Sequence, residues 1–529
     1  MDKLHGMTAP VTSIDLFCGG GGFSLGLEQA GIQTVAAVDF DPKAMEVFRA
    51  NFPHVTHAYC ADLTALPPSE LADKIGRDRV DVVVGGPPCQ GFSQVRQRDG
   101  ANHGPRLIDD PRRHLFREFL KYVGHFQPRY FVMENVLGIR SAEGGRYYTA
   151  VQATARDLGY RVFGQVVKAA EFGVPQKRQR QLIIGTRHDV PRLFHRAMLL
   201  PTHPTSAQVT LWEAIGDLPL LRVGEGADPA SYDLRRRDEH LRRTDGRYLR
   251  DVLEVAKSQE LTAHCARPHS ERDLRDFGRI REGEHARQAI ERGETLEFPY
   301  DRSSFHDRYT RQHRHKLCST IVAHLSRDGL MFIHPTQNRS LTPREAARIQ
   351  SFPDWYQFPV ARTHQFRIIG NAVPPLVAKA VGTTIRNLLG GHAVKLNRRT
   401  AMPLYIPKSL EDALPRVRRL AESSGPKLRR MPIEEFKSCW PSVAYMFPGL
   451  HPDAGADHGT EIDDGAALVG TLSEELRRVA FPAYVESGWP VPLAPVLREA
   501  WRRYEAGELA DEEFYCVDAA CAALALDAA

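Results

Sequence analysis

A cysteine framed by two prolines and a Gln-Gly pair follows an apolar run in this chain. Asp81-Val82-Val83-Val84 leads into Gly85-Gly86-Pro87-Pro88-Cys89-Gln90-Gly91-Phe92-Ser93. The prolines fix φ and restrict their neighbours, so the segment reads as a stiff loop at the carboxyl end of a strand, where α/β proteins build their sites. A thiol presented there can act as a nucleophile. A lone buried cysteine is ordinarily inert packing, and the setting of Cys89 sets it apart. A second turn of this kind is Asp15-Leu16-Phe17-Cys18-Gly19-Gly20-Gly21-Gly22. Glycines let a backbone turn tightly and approach a ligand, with helix N-terminal amides facing it. By itself the turn suits a nicotinamide dinucleotide, a flavin or S-adenosylmethionine. Phe17, just before the glycines, offers a ring face to an adenine or simply joins the core. Asp39 either accepts from ribose hydroxyls at the end of the next strand or caps the helix opening at Pro42.

These residues need rigid elements to hold them, and the first 190 residues supply an alternation of strands and helices. Apolar, β-rich runs occur at 11–17, 33–38, 81–86, 129–135, 160–167 and 180–186. Helical spacing covers 23–30, stopped by Gly31, and 42–50, opened by Asp41-Pro42. Strands separated by helices of this length imply right-handed crossovers. The expected fold class is α/β, with a doubly wound, mostly parallel sheet. From about His188 to Asn338 the chain becomes irregular and rich in Arg, His, Asp and Gly. At 341–352 a helix resumes, with Thr342 as cap, Pro343 at the first position and Glu345 at the third, a capping box. The stretch 370–389 is apolar and helical beyond its prolines. The expected division is 1–187, a catalytic and cofactor domain; 188–338, a recognition domain; 339–390, a return to the first domain; and 391–529, a mostly helical extension.

Composition limits what such a chain can be. It has 529 residues, 42% hydrophobic and 26% charged, with a mean hydropathy of −0.37, an ordinary globular balance. That is too long for one compact core. No run of about 18 apolar residues and no secretory signal are evident, so no membrane role is expected. The eight cysteines form no C-x-x-C pair, which argues against zinc ribbons and disulfide scaffolds and for a reducing, cytoplasmic setting. His313 and His315 have no acid or cysteine at ligand spacing, and no metal is expected. The net charge of +5 is uneven: residues 391–529 carry −5, leaving +10 on the rest. A basic body fits a polyanionic partner. Residues 188–338 are nearly balanced, so nucleic-acid contacts there would come from local clusters such as Arg235–Arg237 and 308–316.

Six motifs in order resemble those of the cytosine-C5 DNA methyltransferases, over about residues 11–390. They are DLFCGGGGFSLGLEQAG, GGPPCQGFS, Glu134-Asn135-Val136, GVPQKRQRQLIIG at 173–185, RSLTPREAARIQSFPD at 339–354 and GNAVPPLVAKAV at 370–381. The resemblance implies S-adenosylmethionine as cofactor and a flipped cytosine of double-stranded DNA as substrate. It makes Cys89 the nucleophile that adds to C6 and Glu134 the group that protonates or hydrogen-bonds N3. Arg180 would hold the cytosine O2, and Arg178 would support the catalytic loop. On the cofactor side it implies Phe17 at adenine, the backbone of Gly19 and Gly21 at the methionine part, and Asp39 at ribose, where the family more often has Glu. Asp62 would meet the adenine amino group, and Asn371 matches a cofactor-side position. Residues 94–111 resemble the lid that closes over a flipped base. A companion restriction endonuclease or defence-system proteins would be the usual partners.

Three other readings compete with this one. An RNA-acting relative lacks a long insert like 188–338 and carries a Cys-Phe-Thr tripeptide that is absent here. A silent DNA-binding module has no chemical need for Cys89, Glu134, Arg178 and Arg180 together. A dehydrogenase would share the glycine turn and leave the Pro-Pro-Cys-Gln loop unexplained.

Overall fold

A computed structural model describes residues 10–88, 114–190, 194, 199, 201–297, 309–327 and 329–390. Cys89, the lid at 94–111 and the extension at 391–529 lie outside the described residues.

The sheet has seven strands, β1 (Thr12–Leu16), β2 (Gln33–Asp39), β3 (His57–Cys60), β4 (Val82–Gly85), β5 (Tyr130–Asn135), β6 (Tyr160–Lys168) and β7 (Gln179–Arg187), ordered β3-β2-β1-β4-β5-β7-β6. The pairs β1–β2, β1–β4, β2–β3 and β4–β5 are parallel, whereas β5 and β7 are antiparallel. The order reverses at β1, so the carboxyl ends of β1, β2 and β4 open on one crevice, the usual ligand position in such sheets. Ile14, Leu16, Val82 to Val84 and Tyr130 to Met133 are all buried, as expected for strands covered on both faces.

Helices alternate with these strands. They are α1 (Gly22–Gln29), α2 (Pro42–Asn51), α3 (Pro68–Ile75), α4 (Leu115–Phe126) and α5 (Arg146–Asp157). The N-cap of α1 is Gly21, which has no side chain to satisfy the first-turn amides. Buried Asp15, at the end of β1, takes that place: its Oδ2 accepts from the Ser24 amide at 3.2 Å and the Ser24 hydroxyl at 2.7 Å. For α2 the cap is Asp41, whose carboxylate accepts from the Lys43 amide, with Pro42 at the first helical position.

After β7 come short helices joined by long irregular segments: α6 (Leu211–Ile215), α7 (Leu234–Arg243), α8 (Glu271–Arg279) and α9 (Ala286–Glu291). The chain then forms α10 (Pro343–Ile349), α11 (Arg362–Asn371) and α12 (Pro375–Leu389). The Thr342–Glu345 capping box is present in full, though the helix that it starts is only seven residues long. The stretch 362–389 is apolar enough over 18 residues to match a membrane span by composition, yet 72% of that window is buried. It is interrupted between α11 and α12, and α12 packs on α1: a Cβ on Gly26 would meet the Lys379 amide at 2.6 Å, and one on Gly382 would meet Ala30 at 2.9 Å. The stretch is apolar because it is core.

Four buried arginines tie this return segment down. Arg339 meets Glu345, and Arg348 meets both Asp217 and Asp354. Arg344 donates to Thr262 and to the Tyr356 carbonyl, and Arg178 donates to three backbone carbonyls considered below. A buried charge is tolerated only with such partners, and removing one costs about 3–5 kcal/mol. The described residues of 10–158, 164–187 and 199–390 form one compact unit. Of the second, the described residues include Arg161, which donates to the Val190 carbonyl.

Candidate active site

Two clusters lie at the carboxyl ends of the central strands. The first surrounds the glycine turn. Phe17 has φ 56°, a left-handed conformation that costs a non-glycine residue energy and is typical of functional turns. Its ring is half-buried. Gly19 follows at φ 54°, and a Cβ there would meet nothing within 4 Å, so this side of the turn is open. Asp39 holds the turn from the next strand: Oδ2 accepts from the Gly19 amide and Oδ1 from the Asp41 amide, both at 2.9 Å. The helix-cap alternative for Asp39 therefore falls to Asp41, and Asp39 orders the glycine turn itself. Burial raises the pKa of the Asp39 carboxyl above its ordinary 3.8, and each oxygen keeps a second lone pair for a hydroxyl.

Asp62 is exposed just beyond β3, its Oδ1 accepting from the amide and hydroxyl of Thr64. Asn371 is the exposed last residue of α11. Gly21 is closed in: a Cβ would strike the Phe52 ring, the Tyr356 hydroxyl (2.9 Å) and Phe48 (3.0 Å). Its φ of 82° also favours glycine. One aromatic residue was missed from sequence. Phe40 is 68% exposed between Asp39 and Asp41, on the rim of this cluster. An aromatic residue directly after a strand-end acid is a signal that could have revealed it.

The second cluster joins β4, β5 and β7. Glu134 is buried near the end of β5, and its Oε1 lies 2.8 Å from Arg180 Nε. Arg180 stands at the start of β7, whose antiparallel register pairs Asn135 with Gln181 and Glu134 with Leu182. Asn135 Nδ2 donates to the Pro87 carbonyl at 3.2 Å and fixes the Pro-Pro segment that leads to Cys89. A Cβ on Gly86 would come within 3.4 Å of Glu134 Oε2. The Gly86–Pro87 backbone thus runs directly beside Glu134.

Arg178 does not join that pair. It is buried, with Nη1 on the carbonyls of Ile321 (2.9 Å) and Gly370 (3.2 Å) and Nη2 on the Ala372 carbonyl (2.8 Å). It therefore brackets Asn371. These positioning bonds were not legible from sequence, because their acceptors are backbone atoms 143 to 194 residues away.

Polar residues of the segment 261–274, within the expected recognition domain, also serve packing. His264 bonds Thr342 Oγ1, and His269 bonds Ser340. Arg267 donates to the carbonyls of Leu325, Ser326 and Arg327. The basic clusters are largely engaged too. Arg311 donates to carbonyls of Ile280, Phe277, His334 and Gln337, Arg314 is bidentate with Glu282, and Arg237 stacks on Tyr232. Arg235 and Arg242 of α7 are exposed. Among the described residues no group of three metal-ligating side chains occurs.

The seven-stranded sheet, with the glycine turn at its switch point, is that of the S-adenosylmethionine-dependent methyltransferase fold. The crystal structure of an E. coli prophage-encoded protein described as a DNA modification methyltransferase matches with a TM-score of 0.56 and 26% identity, over 72% of this chain and 99% of that one. The chain belongs to the C-5 cytosine-specific DNA methylase family, whose model matches residues 11–387. It is 34% identical to the type II methyltransferase M.DdeI of Desulfomicrobium norvegicum, over 75% of this chain and 95% of that protein. It is also 34% identical to M.XorII of Xanthomonas oryzae pv. oryzae, over 72% and 86% respectively. The protein is thus a C5 cytosine DNA methyltransferase of the type II restriction-modification kind.

Proposed function

We propose that this enzyme methylates C5 of a cytosine flipped out of duplex DNA, through transient covalent addition of Cys89 to C6. The observation that carries the reading is the Glu134–Arg180 pair at 2.8 Å beside the Pro-Pro entry to Cys89. Cytosine C5 is a poor nucleophile until C6 is attacked. In the proposed sequence the Cys89 thiolate forms the S–C6 bond while Glu134 donates a proton or hydrogen bond at N3. The electron pair then resides at C5 as an enamine. Arg180 holds O2 and keeps the ring in register with Glu134. After C5 gains its methyl group, a base takes the C5 proton and the S–C6 bond breaks, restoring the thiolate.

The residues around the glycine turn fit S-adenosylmethionine, which when bound supplies an electrophilic methyl group. Phe17 offers a ring face, Asp39 spare lone pairs for ribose hydroxyls, Asp62 an exposed carboxylate for the adenine amino group, and Gly19 an open backbone. Asn371 closes the cofactor side, positioned by Arg178. Residues 188–338 would read the DNA sequence, with Arg235 and Arg242 available to phosphates. A companion endonuclease or other defence proteins, and a reducing cytoplasm, complete the setting. Bisulfite sequencing of DNA from a host expressing the chain tests the reading. Methylated cytosines in one sequence context support it, and an unmodified genome in the presence of soluble protein refutes it.

A further inference from the structure

One buried hydroxyl joins the glycine turn to a distant part of the chain. Tyr356 is fully buried, and its hydroxyl donates to the carbonyl of Gly20, 336 residues earlier. Burial raises the phenol's pKa far above its ordinary value, so it stays a donor. The ring is locked among aromatic neighbours, with centroids 4.9 Å from Phe352, 5.5 Å from Phe358 and 6.2 Å from Phe52. The turn is thereby held from two sides, by Asp39 at the Gly19 amide and by Tyr356 at the Gly20 carbonyl. With that carbonyl fixed, the Gly21 amide is left donating to the Cys18 carbonyl at 2.9 Å. Only the Gly19 side stays open.

The segment that carries Tyr356 is itself strapped to the 199–297 part of the chain. Arg344 links the Tyr356 carbonyl to Thr262, the Trp355 indole donates to Glu254, the Asp354 amide donates to the Leu253 carbonyl, and Asp354 accepts from Tyr232. The Gln357 amide also donates to Asn51 of α2. The hydroxyl thus sits on a braced frame with no freedom to follow the turn, and it lies too deep to touch a ligand.

We propose that Tyr356 is a positioning residue for the adenosyl cofactor, acting through the Gly20 carbonyl to keep the turn in its ligand-binding shape. This inference rests on the reading that the glycine turn binds S-adenosylmethionine. Removing the hydroxyl leaves a buried carbonyl without its donor and frees the Gly20–Gly21 peptide to rotate. The cost falls on cofactor binding and not on the methyl-transfer step once the cofactor is saturating.

The test compares full-length Tyr356, Y356F and a Tyr356→4-aminophenylalanine variant, the last keeping a weaker donor in the same place. Calorimetry with S-adenosylhomocysteine gives Kd, and steady-state methylation gives KM for S-adenosylmethionine and kcat. The expected result is a rise of about tenfold in Kd and KM for Y356F, an intermediate rise for the amino variant, and kcat within about twofold of wild type. A role in stability alone would lower the melting temperature without this ranking. Equal cofactor affinities across the series, or a loss confined to kcat, overturn the proposal. If Y356F does not fold, the wild-type and amino proteins alone decide: a measurable rise supports it and none overturns it. A wild-type protein that binds neither nucleoside refutes the reading of the turn, a separate failure.

Discussion

Glu134 Oε1 and Arg180 Nε lie 2.8 Å apart at the open end of the β5–β7 pair. In the proposed mechanism the two act on one planar ring as a unit, the carboxyl at N3 and the guanidinium at O2. Replacing Glu134 with Gln removes the carboxyl and keeps the shape, and should lower methyl transfer about 10²- to 10⁴-fold. Arg180→Lys should also be damaging, because a point charge cannot reproduce the fork. Single-turnover methylation of a duplex with one target site reads both. Wild-type rates in E134Q would remove Glu134 from the chemistry.

Cys89→Ala should abolish methyl transfer and leave cofactor affinity within about twofold, since the thiol's proposed role is covalent. A duplex carrying 5-fluorocytosine at the target should trap the wild-type chain, because fluorine cannot leave as a proton does. Denaturing electrophoresis shows the adduct. Turnover by the alanine protein would end the assignment.

Asp39 accepts two backbone amides, so its loss should act on the turn as well as on the ribose. Asp39→Ala is expected to weaken S-adenosylmethionine binding by about 1–3 kcal/mol, with DNA affinity in the cofactor's absence little altered. Titration calorimetry distinguishes the outcomes, and an unchanged cofactor affinity would leave Asp39 as scaffold only.

Asp15 gives a pH dependence whose sign can be worked out. Burial raises its pKa to about 7 from an ordinary 3.8. The folded state therefore binds more protons than the unfolded state between about pH 4 and 7, and this group's contribution falls as pH rises through that window. Relative to wild type, Asp15→Asn should gain stability on going from pH 4 to pH 8, by a few kcal/mol in order of magnitude. Denaturant melts at the two pH values measure it. Parallel pH curves for the two proteins would mean that Asp15 is already ionised near pH 4.

The family match ends at residue 387, so deleting residues 400–529 should preserve intrinsic methylation. Any loss is expected in stability or in partner binding, consistent with the net −5 of residues 391–529. A soluble, folded truncation unable to methylate DNA would place the extension in the catalytic machinery.

Local chemistry made much of this molecule legible. The glycine turn, the Pro42 start of α2 and the Thr342 capping box each follow from residues within a few positions of one another, and each stands where the sequence puts it. β3 was missed because four residues, His57–Cys60, carry too little pattern to separate from a loop. The longest shortfall concerns arginine. Arg178, Arg267, Arg311 and Arg344 look like surface charge in a one-dimensional reading, and each instead satisfies backbone carbonyls that only the folded chain brings near. Arg180, two residues from Arg178, has the same local context and an opposite fate, since one faces Glu134 and the other the Gly370–Ala372 backbone.

The packing of α12 on α1 also orders events in time. The face of α1 at Gly26 is covered by Pro375 and Ala378, residues made some 350 positions later. At 5–20 residues per second, a ribosome needs roughly 20–70 seconds between the two. Throughout that interval the nascent chain carries an uncovered apolar helix next to an unfinished glycine turn. The first motif synthesised is therefore among the last to be packed, and α1 gains its cover only when translation of the family region is essentially complete.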